Sequence, residues 1–181
     1  MKAVFSLSAL LALASALVSG TPISPRGSPF IVPATQFWVI NNPNPAPIPP
    51  PSANAQISIT NGQNEIDSIV SFDVASLPVP TSSSTCQFGI KGISPPAGSG
   101  IIQLFTLGAQ VTSSTQFVPF TDQYLGQYDV STGTSVPIDA NSVPCNFQNG
   151  VVQFLIRPQN TDDFIYFTQF ATSGAFLIYY P

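Results

Sequence analysis

The chain has 181 residues, 44% of them hydrophobic and only 7% charged, against about 25% charged in ordinary soluble domains. That length accommodates one domain with a sizeable core plus accessory segments, and its surface has to be built from Ser, Thr, Asn and Gln. Four Lys and Arg stand against eight Asp and Glu, for a formal net charge of −4 with no histidine; without a basic cluster, neither nucleic acid nor an anionic membrane surface is an expected partner.

Residues 1–20 have the layout of a secretory signal peptide. Lys2 supplies the positive start, Ala3 to Leu17 the apolar stretch, and the small residues before Gly20 or Ala16 two alternative cleavage sites. The run is short for a membrane anchor, and no later apolar run approaches the ~20 residues of a span. A glycolipid-anchor signal is not expected either, because no polar spacer separates Ser173-Gly174-Ala175 from the tail Phe176–Tyr180. The mature chain is expected to be secreted, extracellular or in the cell wall, with no membrane span. Its basic residues would then be Arg26, Lys91 and Arg157.

Residues 21–53 read as a Pro-rich arm or linker. Pro43, Pro45, Pro47, Pro49, Pro50 and Pro51 favour extended polyproline II over a packed unit. Within the arm, Phe37-Trp38-Val39-Ile40 is an apolar island, read either as a strand docked on a domain edge or as a peptide ligand for a partner.

From residue 54 to 181 the pattern is β throughout. Gln56–Thr60 alternates, and Ile66, Val70, Phe72 and Val74 fall on one face with Asp67, Ser71 and Asp73 on the other, as in a half-buried strand. Leu77-Pro78-Val79-Pro80 ends that strand. Cys86, Phe88 and Ile90 share a face that points the cysteine inward, and Ile101–Leu107 is apolar on both faces, as a central strand should be. Weaker strands are predicted at Thr115–Phe120 and Gln123–Val130, then three more at Val151–Arg157, Asp163–Ala171 and Ala175–Tyr180.

Short strands punctuated by turns, with no helical periodicity, predict an antiparallel all-β sandwich of roughly eight to ten strands. In an oxidising compartment the two cysteines, Cys86 and Cys145, are expected to form one disulfide closing a loop of about sixty residues. Both are placed on inward faces, where a bridge between the two sheets is natural. Metal ligation is not expected, since histidine and Cys-x-x-Cys are both absent.

Several of these segments carry a family likeness: "Ile-Val-Ser-Phe-Asp-Val" at 69–74, "Cys-Gln-Phe" from Cys86, "Leu-Gly-Gln-Tyr" at 125–128, "Pro-Cys" at 144–145 and the closing "Ser-Gly-Ala-Phe-Leu-Ile-Tyr-Tyr". Together they resemble the C-terminal domain family named after the fission-yeast ubiquitin-three-binding protein But-two, over about Ala55 to Pro181. The resemblance implies a β-sandwich in secreted or cell-surface ascomycete proteins. It brings no functional residues, and the ubiquitin-pathway binding in the family name does not suit an exported chain.

Without histidine, the Ser-His-Asp and Cys-His arrangements and the commonest general base are missing. The serine clusters at 82–84 and 113–114 read as solvated loops, and no Asn-x-Ser/Thr sequon occurs. Carboxylates are the remaining acid–base candidates: Glu65 with Asp67, and Asp162 with Asp163. Strand-edge solubility explains the first pair, and capping of a hairpin opposite Arg157 the second, so no catalytic residue, metal or cofactor is assigned.

The aromatics of the last two strands are the better lead. A three-residue turn at Thr172–Gly174 would set Phe170 opposite Phe176 and Tyr166 opposite Tyr180, with Phe167 opposite Tyr179 on the other face; a two-residue turn would shift every pair. Either both faces are covered, one by the opposite sheet and the other by the arm with Trp38, or Tyr166, Tyr179 and Tyr180 form a platform that stacks on sugar rings. The expected function is surface interaction without enzymatic activity, toward a cell-wall polysaccharide or a cell-surface protein. The alternatives are a carbohydrate-binding module on the C-terminal aromatics and, third, a small carboxylate-dependent glycosidase.

Overall fold

A computed structural model of the chain describes residues 28–42, 47–140, 142–143, 145 and 150–181. The expected signal peptide, Arg26, Pro43, Pro45 and Pro144 lie outside them. Among the described residues eleven strands form: β1 (Phe30–Pro33), β2 (Gln36–Asn42), β3 (Asn54–Thr60), β4 (Gln63–Asp73), β5 (Thr85–Lys91), β6 (Ile101–Leu107), β7 (Thr121–Asp129), β8 (Val136–Pro137), β9 (Val151–Pro158), β10 (Asp163–Thr168) and β11 (Gly174–Tyr180). A three-stranded sheet has the order β1-β11-β5; an eight-stranded sheet runs β10-β3-β4-β9-β6-β7-β8, with β2 added on β4. Every pairing is antiparallel. This is the all-β sandwich expected from the sequence, its larger sheet curled as a half-barrel.

The main core lies between the sheets. Phe88 of the small sheet inserts among Phe72, Tyr128 and Phe154 of the large one, at ring-centroid distances of 6.4, 5.5 and 6.3 Å. Cys86 and Ile90, on the same face of β5, are buried with it. Such offset and edge-on aromatic contacts add to the burial energy of the rings themselves.

The arm is where expectation and structure part. The boundary drawn at residue 53 separates elements that the fold joins, because residues 30–42 supply two strands. β1 pairs with β11, so the first described strand is an edge of the small sheet. β2 pairs with β4 from Gln36–Ser71 to Asn42–Glu65, burying Phe37 in the main core and Trp38 in a second cluster. The apolar island is thus a docked strand. The described part of the proline run, from residue 47, follows the domain: Ile48 packs on that second cluster, and Ser52 exchanges both backbone hydrogen bonds with Phe37.

This second cluster corrects the reading of β4 as half-buried. The period of two holds, yet Asp67, Ile69 and Ser71 are as buried as Val70 and Phe72. β2 and β9 flank β4, and Trp38, Ile40, Ile69, Val111 and Leu155 make an apolar layer on the outer face of the large sheet. The segment between β6 and β7 folds over that layer. Gln153 fixes it with two bonds to one residue: its Oε1 accepts the Val111 N–H at 2.7 Å and its Nε2 donates to the Val111 carbonyl at 2.8 Å. Thr115–Phe120, predicted as a strand, belongs to this covering loop.

Two further corrections concern the C-terminal third. β10 and β11 do not form a hairpin: β10 pairs with β3 in the large sheet, and β11 lies between β1 and β5 in the small one. Cys86 and Cys145 are bridged, Cα to Cα 5.4 Å, but not between sheets. Cys145 precedes β9, in a segment that runs beside β5, where the Val143 N–H donates to the Cys86 carbonyl. At the other end of the large sheet, β3 turns into β4 through Asn61 and Gly62, both at positive φ (49° and 68°), the conformation a two-residue hairpin turn of this kind needs.

Candidate functional site

The three tyrosines singled out by sequence are not brought together. Tyr179 is fully buried against the main core, with its hydroxyl 3.3 Å from Ser84 Oγ. Tyr180, next along β11, is half-buried on the outer side of the small sheet. Tyr166 is on the large sheet and 48% exposed. Because β10 and β11 belong to different sheets, no platform can include all three.

A smaller surface does form around Tyr166. β10 alternates strictly: Asp163, Ile165 and Phe167 are buried, while Phe164 (50%) and Tyr166 point outward. Residues two apart on a strand share a face and lie about 7 Å apart, so the two rings make a row. On β3, the residues paired with them are Ser58 and Gln56, and Asn54 pairs with Thr168. The result is an aromatic row beside the half-buried amides Asn54 and Gln56, with Ser58 buried next to Phe164. That polar row is ordered: Gln56 Nε2 donates to Ser58 Oγ at 3.5 Å, and Thr168 Oγ1 to Asn54 Oδ1 at 2.8 Å. From behind, Ser68 Oγ bonds both backbone groups of Gln56.

Asp163 anchors one end of the surface. Its buried carboxylate accepts hydrogen bonds from the Ser99 and Gly100 backbone N–H groups and from the Ser99 hydroxyl, and Ala97 pairs with Phe164 across the free edge of β10. Asp162 accepts from the Asn61 N–H at 2.8 Å. The expected capping of a hairpin opposite Arg157 is thus corrected: β9 and β10 do not pair, Asp162 caps the β3–β4 turn, Asp163 holds the Ser99–Gly100 loop, and Arg157 is engaged elsewhere.

Arg157 serves the other carboxylate pair. Its Nε lies 3.0 Å from Asp67 and 3.6 Å from Glu65, its guanidinium covers the Phe105 ring at 5.5 Å, and Asn42 Nδ2 is 3.4 Å from each carboxylate. Asp67 is only 2% exposed, and its Oδ1 has no hydrogen-bond partner. Burial, then the nearby charge of Glu65, pushes its pKa up to about 8 against the opposing pull of Arg157. Near neutral pH this favours the protonated form of Asp67, which still accepts the Arg157 Nε hydrogen bond. This group ties β2, β4 and β9 together. A hydrolytic carboxyl pair has to flank a substrate bond; these two stand on one strand, with Asp67 sealed beneath Arg157.

Among the described residues, no group of three or more His, Cys, Asp and Glu is placed to hold a metal ion, and no helix is long and apolar enough to cross a membrane. The serine clusters are exposed turns, each closed by its own hydroxyl contacts. Comparison of the chain with protein-family models and with curated proteins yields no match. Of the three tyrosines singled out by sequence, Tyr166 is the most exposed, and its neighbours on the surface are not evident from the sequence. Phe164 two residues earlier and the Asn54, Gln56, Ser58 row are visible as alternating patterns, but only the β3–β10 pairing joins them.

Proposed function

We propose that this is a secreted, non-enzymatic β-sandwich protein of the fungal cell wall or extracellular space, and that it binds polysaccharide through the outer face of β3 and β10. The observation that carries this reading is the half-exposed pair Phe164 and Tyr166, side by side on the outer face of β10. Outward positions of a one-sided antiparallel sheet are ordinarily polar, and exposed apolar groups gathered in one place mark contact surfaces. Sugar rings offer C–H faces to aromatic rings and hydroxyls to amides, the two kinds of group that this surface sets side by side. Export is supported by the signal-like first twenty residues and by the disulfide, which persists in oxidising compartments. The likeness to the But-two C-terminal domain family points the same way.

The test is retention of the mature protein on insoluble chitin and β-glucan. Wild type is retained on at least one, and the double variant Phe164→Ala, Tyr166→Ala passes through while keeping the wild-type melting temperature. Passage of the wild type through both matrices would refute polysaccharide binding. Retention of the double variant as strong as that of wild type would refute this face as the contact.

A further inference from the structure

The loop that covers the outer layer also shapes a concave site. Between the end of β6, the start of β7 and the start of β9 lies a groove of about 470 Å³, within the range of small-molecule sites. Its walls include Thr106, Gly108, Phe120, Asp122 and Gln123. Phe120 is 73% exposed, yet its position is set. The Gly108 N–H donates to its carbonyl at 2.9 Å, and its ring rests so close to Gly108 that a Cβ there would collide with it. The far wall is fixed by the Gln123 N–H, which donates to Thr106 Oγ1 at 2.9 Å. The floor, on β9, carries the Gln153 clamp. The groove is preformed, which lowers the ordering cost of binding.

The lining selects the ligand. Asp122 is its only charged residue. Of the described basic side chains, Lys91 lies over the Phe176 ring and Arg157 is held by Glu65 and Asp67, so neither is placed to receive a phosphate or carboxylate. An exposed ring, a carboxylate that accepts from neighbouring hydroxyls and an amide that both donates and accepts suit a neutral polyhydroxylated ring.

We infer that this groove is a second saccharide site, separate from the β3–β10 face, which holds a short neutral oligosaccharide with one ring on Phe120 and hydroxyls on Asp122 and Gln123. The ligand class rests on the polysaccharide-binding reading; the site itself does not.

Both are tested by titrating the isotope-labelled mature protein with soluble β-glucan and chitin hexasaccharides and following backbone amide shifts. Saturable shifts at Gly108, Val111 and Gln123 are expected. Phe120→Ala should weaken them by about tenfold, the ratio that 1.4 kcal/mol produces. Gly108→Ala, which dislodges the ring and leaves the groove's polar groups in place, should act in the same direction with an unchanged melting temperature. Phe164→Ala with Tyr166→Ala should leave the groove shifts intact. Shifts confined to β3 and β10, no shifts at millimolar sugar, or an unaltered Phe120→Ala titration would overturn the groove. A groove that titrates in a protein no polymer retains would sink the polysaccharide-face reading alone.

Discussion

The outer face of the large sheet has two halves. Over β2, β4, β9 and β6 it presents Trp38, Ile40, Ile69 and Leu155, all buried because the 108–120 loop and Ile48 lie on them. Over β3 and β10 it presents Phe164, Tyr166 and Gln56, and these face water. The sheet and its two-residue period are common to both halves; only the cover differs. An aromatic under the loop is a core residue. An aromatic on the uncovered half lacks an internal partner layer, and that contrast makes Phe164 and Tyr166 the informative pair.

The contrast breaks most severely if the covered half loses its largest side chain. Trp38→Ala should destabilise the domain by about 3–5 kcal/mol, the usual cost of emptying such a site, read as a lower denaturant midpoint at unchanged slope. A loss under about 1 kcal/mol would mean that the cover contributes little and that the two halves are alike.

A second effect is spread over pH. Asp67, under Arg157 at the margin of the covered half, is pushed up to about 8 when folded, against an ordinary value of 3.8 in the unfolded chain. The folded chain thus binds the extra proton between those values, so stability from this group is full below about pH 4 and declines as pH rises through about 8. The groups facing it are Glu65 on its own strand, Arg157 on β9 and Asn42 on β2. Melting temperature should fall across that window in wild type and less in Asp67→Asn, which has no proton to lose. Parallel curves for the two proteins would show that Asp67 ionises normally in the fold.

Much of this architecture is legible in the chain, and the losses have a common cause. Alternation at Cys86, Phe88 and Ile90 gives the inward face of β5 correctly, since one strand carries its own period. The same period at Asp67, Ile69 and Ser71 suggests an open face, because nothing local reveals that a loop more than forty residues later will cover it. β10 and β11 are the sharper case. Both are aromatic strands joined by a short turn, which reads as a hairpin, but each has more to bury against another partner. Ile165 and Phe167 meet Ile57 and Ala55, while Leu177 and Tyr179 pair with Phe88 and Cys86. Tyr166 is exposed and Tyr179 buried for that reason: exposure depends on sheet membership, a long-range property. The Pro-rich arm differs in the opposite direction, since its composition suggests an arm or linker while Phe37, Trp38 and Ile48 tie its described residues to the domain.

Smaller effects sharpen the comparison. Gln153→Ala removes the partner of both Val111 backbone groups and should cost about 1–3 kcal/mol, the penalty for leaving partly buried polar groups unpaired. Faster hydrogen exchange at Val111, with no change in β3 or β10, would locate the loss in the covered half. The smallest stability effect belongs to the open half. Phe164→Ala with Tyr166→Ala removes two rings that are already about half in water, each expected to change stability within roughly 0.5 kcal/mol. Ile165 and Phe167, on the opposite side of the same strand, keep β10 docked. A midpoint near wild type would show that these rings are not needed for folding, as residues kept for an outside partner should be. A loss comparable to Trp38→Ala would mean instead that they stabilise β10 itself, and the open half would then be a second, thinner core.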